Sequence, residues 1–219
     1  CVDRPGIVAA VATELFTLGA NIAESSQFWD QETGRFFMRI AFTAPETVDR
    51  AAIGRALQPA SDRFGMTTNL IDRAQRPKLL ILVSKFDHTL LHLIYQKRAG
   101  WLDADIVGIV SNHEDSRRTA LNEDIPYHYL PVTRDTKPAQ EQEILRLAAA
   151  EKADLIVLAR YMQVLSGELA ASLHGRAINI HHSFLPSFKG ARPYHQAHER
   201  GVKLIGATAH YVTADLDEG

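Results

Sequence analysis

One cysteine, Cys1, is the only thiol among the 219 residues. An intramolecular disulfide and a cysteine-based zinc cluster are therefore excluded, and a reducing, cytoplasmic setting is the expectation. Charge of one sign is also scarce: 24 Lys and Arg stand against 26 Asp and Glu, a formal net charge of −2. Without a basic field, neither nucleic acid nor an anionic membrane is expected as a partner. Long apolar runs are missing too. The longest strand-like one, Leu79 to Val83, stops at Ser84 and Lys85, far short of the roughly 18 to 20 residues that span a bilayer. The opening Cys1-Val2-Asp3-Arg4-Pro5-Gly6 lacks the basic and then apolar order of a signal peptide, and both chain ends read as fragment ends. The sequence contains no G-x-G-x-x-G, no Walker loop and no G-x-S-x-G elbow, which weakens nucleotide binding and serine hydrolase chemistry. What remains is 46% hydrophobic and 23% charged, an ordinary globular balance in a chain long enough for one large domain or two small ones. Small molecules are the default partners.

The first part of the chain has a mixed rhythm. Ile7, Val8, Val11, Leu15 and Leu18 recur at helical steps, with Pro5 before them and Gly19 after them. Two strand-like runs, Asn21 to Trp29 and Arg35 to Phe42, flank a turn at Asp30 to Gly34. A second helical pattern runs from about Thr47 to Phe64, and a short strand is expected from Met66 to Ile71. A strand ahead of Cys1 would complete a ferredoxin-like βαββαβ unit. The expected division is a first domain over 1–72, a linker over 73–78 and a second domain over 79–219.

In the second part, short continuous apolar runs alternate with helical patterns. The runs are Leu79 to Val83, Asp105 to Val110, Leu155 to Leu158 and Ala177 to Ile180; the helical patterns are Thr89 to Ala99, Ala139 to Glu151 and Gly167 to Leu173. Alternation of this kind predicts a doubly wound, mostly parallel α/β domain. Functional residues are then expected at the carboxyl ends of the strands.

Two polar groups stand at such ends. Asn179 and His181 occupy alternate positions of one strand and so share a face, where an amide can steady an oxyanion and an imidazole can move protons. A turn-capping Asn and a hydrogen-bonded core His would give the same spacing. A second polar cluster, Ile205 to Gly219, ends the next strand, and its Asp217 lies in a loop that could return toward His181 and hold a water, or be simply solvated. His195 and His198 lie three apart on an expected helix, but no third ligand suggests itself, so no metal site is expected. Ser84 to His88 follows the first parallel strand and contains no glycine, unlike a phosphate-cradling loop.

Together, Asn179-Ile180-His181, Ser183 to Gly190, Gly206 to Tyr211 and Leu216-Asp217-Glu218-Gly219 resemble the folate-dependent formyltransferase family. With Asp3 to Val8, Val83 to His88, His181 to Pro186 and Gly190 to Tyr194, the resemblance extends over essentially all 219 residues and favours the family's deformylase branch. It implies an ACT-type regulatory domain followed by a formyltransferase-fold domain. The implied reaction is hydrolysis of 10-formyltetrahydrofolate to tetrahydrofolate and formate, feeding purine synthesis and balancing the one-carbon pool, with no cofactor beyond the folate substrate.

The resemblance makes Asn179, His181 and Asp217 catalytic, with His210 supporting the Asp217 loop. It places Arg160, Met162, Val164 and Leu165 in a pterin-binding wall, for which plain core packing is the alternative, and adds Ser84 and Phe86 to the substrate site. Gly19 and Asn21 fall where ACT modules bind an amino-acid effector, although a helix-ending glycine followed by a turn asparagine reads equally well. A homo-oligomer is expected through the ACT sheets. The competing readings are a transferase acting on an amine and a catalytically silent folate or amino-acid sensor.

Overall fold

The computed structural model describes residues 1–188, 190, 192–215 and 217. Lys189 and Ala191 of the His181 to Tyr194 stretch, and Leu216, Glu218 and Gly219 of the final motif, lie outside them. The chain divides into two units, Cys1–Gln75 and Arg76–Gly219, a boundary that falls inside the expected linker. Lys78, expected in that linker, is already the first residue of a strand, and its N–H donates to Asp154 Oδ2 at 2.8 Å. Among the described residues, no helix is long and apolar enough to cross a membrane.

The first unit contains helix α1 (Ile7–Thr17), strands β1 (Asn21–Asp30) and β2 (Arg35–Thr43), and helix α2 (Arg50–Phe64). In α1, Ile7, Val11 and Leu15 are buried at four-residue steps on one face. Gly19, at φ 73°, supplies the left-handed turn after α1, and its N–H donates to Phe16 O at 2.9 Å. β1 and β2 pair antiparallel from Asn21↔Thr43 to Asp30↔Arg35. Met38, Ile40 and Phe42 of β2 pack on Val11, Leu15 and Leu57, as their alternation requires. Asp49 caps α2 by accepting from Ala52 N–H at 2.6 Å.

The strand expected from Met66 to Ile71 is not formed. A strand is stabilised by its ladder, and the described residues offer this segment none. Among the described residues, a single bridge, Val2↔Arg35, pairs the start of the chain with β2. The segment instead lines a groove of about 690 Å³ together with Leu15, Met38, Ile40 and Leu57. Of the expected βαββαβ order, the structure therefore contains αββα.

The second unit is built on a six-stranded sheet of order β5-β4-β3-β6-β7-β8. Its elements in chain order are β3 (Lys78–Val83), α3 (His88–Arg98), β4 (Asp105–Ser111), α4 (Arg117–Asn122), β5 (Tyr127–Tyr129), α5 (Lys137–Ala150), β6 (Leu155–Leu158), α6 (Gly167–Ser172), β7 (Ala177–His181), α7 (Pro193–Glu199) and β8 (Thr208–Tyr211). Every pairing is parallel except β7 with β8. The central strand β3 is covered on both faces, so its run is continuously apolar and Leu80, Ile81, Leu82 and Val83 are fully buried. Leu80 and Leu82 pack with Ile144, Leu147 and Leu169 on one face; Ile81 and Val83 pack with Leu90 and Ile94 on the other. Each such side chain contributes roughly 1.5–3 kcal/mol by burial. The strand order reverses between β3 and β6, which places a crevice beyond their carboxyl ends.

Candidate active site

Alternation along β7 brings Asn179 and His181 to one side, and the antiparallel β8 sets His210 directly opposite Asn179 in register. His210 Nδ1 lies 3.0 Å from Tyr211 O, an atom that only accepts, so in the neutral ring Nδ1 carries the proton. Nε2 is then an acceptor, and it faces Asn179 Nδ2 at 3.2 Å. This contact fixes the Asn179 amide with its NH2 toward the imidazole and leaves a second N–H to donate.

His181, 5% exposed, is held by a comparable bond. Its Nε2–H donates to Phe188 O at 2.7 Å, which turns Nδ1 toward Asp217 Oδ2, 3.4 Å away. Asp217, 7% exposed, takes φ 59° and accepts from Gly190 N–H at 2.9 Å. Its Oδ1 lies 3.7 Å from His210 Nε2. The carboxylate is thus bracketed by two imidazoles and a backbone amide, at separations longer than a short hydrogen bond. Thr208 braces the turn after β7: its Oγ1 donates to Ser183 O at 2.8 Å and accepts from Leu185 N–H at 3.2 Å. Amide donor, imidazole and carboxylate therefore meet in one place, the set needed to polarise a carbonyl, deliver a proton and activate a water.

The crevice between β3 and β6 supplies the adjoining wall. Ser84, expected to touch substrate, is only 3% exposed, and its hydroxyl is engaged twice. Oγ donates to Asn112 Oδ1 at 2.8 Å and accepts from Met162 N–H at 2.9 Å, while Ser84 N–H donates to Arg160 O at 3.3 Å. Ser84 thus ties the ends of β3 and β4 to the segment after β6. In that segment, Met162 and Val164 are exposed, whereas Leu165 packs against the buried core. Phe86 is exposed, and the Arg160 guanidinium lies over its ring at 5.8 Å.

Several contributors carried little sequence signal. His182 is stacked between His181, at 5.6 Å, and the edge of Tyr194, at 5.3 Å. Burial pushes its pKa below the usual 6.5; Arg160, His181 and His88 push the same way and Asp217 opposes them. Asn112 stands just past β4, so the strand-end rule that singled out Asn179 would have found it too. The Phe188 carbonyl and Gly190 amide belong to the backbone and carry no sequence mark. His195 and His198 are exposed on α7, and in the first unit Asn21 is exposed at the start of β1.

A mostly parallel α/β sheet with Asn, His and Asp at its carboxyl edge defines the class. Residues 77–219 match the family described as Formyl transferase. The formyltetrahydrofolate deformylase of Corynebacterium sp. (strain P-1) is 47% identical across the whole chain, which spans 77% of that relative. The crystal structure of formyltetrahydrofolate deformylase from Burkholderia mallei aligns with all of the chain and 78% of its own, at 50% identity and a TM-score of 0.91. The phosphoribosylglycinamide formyltransferase of Coxiella burnetii aligns with only 66% of this chain and 69% of its own, at 29% identity and a TM-score of 0.61. The chain belongs to the formyltetrahydrofolate deformylase family.

Proposed function

We propose that this chain hydrolyses 10-formyltetrahydrofolate to tetrahydrofolate and formate. The observation that carries the reading is the convergence of Asn179, His181 and Asp217, with Asp217 Oδ2 3.4 Å from His181 Nδ1, in a chain whose full-length relatives are named deformylases. The free N–H of Asn179 donates to the formyl oxygen as it becomes an oxyanion. Asp217 accepts a proton from water as the water oxygen attacks the formyl carbon. The proton that Asp217 takes from water passes to His181 Nδ1, 3.4 Å away, and from there to N10 as the C–N bond breaks, while Nε2–H stays fixed on Phe188 O. His210 holds the Asn179 amide in its donating orientation and flanks Asp217. Water plus the formyl amide gives formic acid and the free amine, so the atoms balance without a second organic substrate. The glycine-free Ser84 to His88 stretch supports water over a phosphate-bearing amine as the acceptor.

The αββα first unit is an ACT-type module, with an amino-acid effector near Gly19 and Asn21 and a homo-oligomer formed through its sheet. Met162, Val164 and Leu165, held in place through Ser84, wall the pterin ring, with Arg160 and Phe86 beside them. The enzyme works in the cytoplasm, where its formate feeds purine synthesis. The test is incubation with 10-formyltetrahydrofolate and no amine, comparing the parent with Asp217→Asn. Formate is expected from the parent, and turnover about 10²–10⁴-fold lower from the folded variant. Turnover that requires added glycinamide ribonucleotide would make the chain a transferase.

A further inference from the structure

Arg160 sits where a glycine would be least strained. Its φ is 59°, in the left-handed region that a long side chain adopts only at a cost. Its Nε is buried without a hydrogen-bond partner. Among the described residues, no carboxylate or carbonyl accepts from its guanidinium, which has only the Phe86 ring beneath it. A cation that is strained, partly desolvated and unpaired is expensive to retain unless something else completes it.

Its position says what that partner is. β6 lies between β3 and β7 in the sheet, so Arg160 stands between the Ser84 to His88 stretch and the Asn179/His181 pair. His182 lies within electrostatic reach of both Arg160 and His88. The reacting centre proposed above carries its own carboxylate, Asp217, held by Gly190 and flanked by two imidazoles. The Arg160 side of the cleft therefore has fixed positive charge and a planar fork suited to one anion, and the geometry of a guanidinium matches a carboxylate. From this we infer that Arg160 binds a carboxylate of the reaction: either the formate released or the glutamate tail of the folate. The inference rests on the deformylase reading and adds a second charged subsite to it.

The experiment uses sodium formate as the probe, with two substrates, 10-formyltetrahydrofolate and its pteroate analogue lacking glutamate. These are assayed on the parent, Arg160→Gln and Arg160→Gly. If Arg160 holds formate, the formate inhibition constant rises at least tenfold in both variants while the KM ratio of the two substrates is unchanged. If it holds the glutamate, the parent's KM preference for the glutamylated substrate collapses and the formate constant stays put. Arg160→Gly, which relieves the left-handed backbone, is expected to melt at or above the parent temperature. Parent enzyme that turns over but shows neither formate inhibition nor a preference for the glutamylated substrate overturns the inference. So do variants that lose thermal stability with both constants unmoved, since Arg160 would then be a packing residue. Absence of any formate release by the parent sinks the deformylase reading instead, which keeps the two failures apart.

Discussion

Deleting one oxygen from Ser84 would test whether the crevice wall is held from behind. In Ser84→Ala, two hydrogen bonds disappear, the one to Asn112 at 2.8 Å and the one from Met162 N–H at 2.9 Å. At about 0.5–1.5 kcal/mol net for each, the loss comes to roughly 2 kcal/mol. For a domain near 150 residues, that lowers the melting temperature by roughly 4–8 °C. The Ser84 hydroxyl is engaged by Asn112 and Met162, so the chemical step should be spared. The segment carrying Arg160, Met162, Val164 and Leu165 loosens, and substrate meets a less ordered wall. KM for 10-formyltetrahydrofolate is then expected to rise about three- to tenfold with kcat within a factor of two. Thermal melts and steady-state formate release on the same preparations read both effects. A melting temperature within about 1 °C of the parent would refute the hydrogen-bond argument, and a fall in kcat at constant KM would place Ser84 in the chemistry instead.

Two other perturbations separate the core from the cleft. Leu80→Ala, at a fully buried position of the central strand, should cost about 2–5 kcal/mol, seen as a lower urea midpoint at unchanged m-value. The pKa of His182 is held below its ordinary 6.5, mainly by burial, so below 6.5 the unfolded chain binds a proton that the folded chain still refuses. Stability should therefore fall as pH drops from about 6.5 toward the folded value and stay flat well above about 6.5. His182→Gln should flatten that slope between urea midpoints taken at about pH 8 and about pH 5.5, and identical slopes in the two proteins would count against it.

Strand periodicity and strand-end position made Asn179 and His181 legible from the chain, because two-residue alternation is local. His210 was harder. Its place opposite Asn179 depends on β8 running antiparallel to β7, a pairing that no pattern within either strand encodes. The buried strands of the sheet were visible as apolar runs, whereas β5, at Tyr127–Tyr129, and α4, at Arg117–Asn122, are too short to show a period. Met66 to Ile71 has the composition of a strand but, in the described chain, no neighbour to pair with, and composition alone does not form a ladder. The resemblance puts Ser84 in the substrate site, but no sequence pattern shows that its hydroxyl bonds Asn112 and the Met162 N–H. Position on an element was easier to foresee than the direction in which a hydroxyl bonds.

The reversed direction of β8 has one more outcome. Because the strand runs against β7, Val212 leaves it beside Ala177, at the far end from the chemistry, and its N–H still bonds Ala177 O at 2.9 Å. Asp217, five residues on in the sequence, nevertheless stands 3.4 Å from His181 Nδ1. Among the described strands β8 stands last in the sheet order and is the one that runs antiparallel to its neighbour. A shift in the β7–β8 register would therefore displace His210 from Asn179 and from Asp217 together, while leaving the buried centre around β3 untouched. The orientation of the Asn179 amide and the surroundings of Asp217 are thus both set by a single strand register, that of β8 on β7.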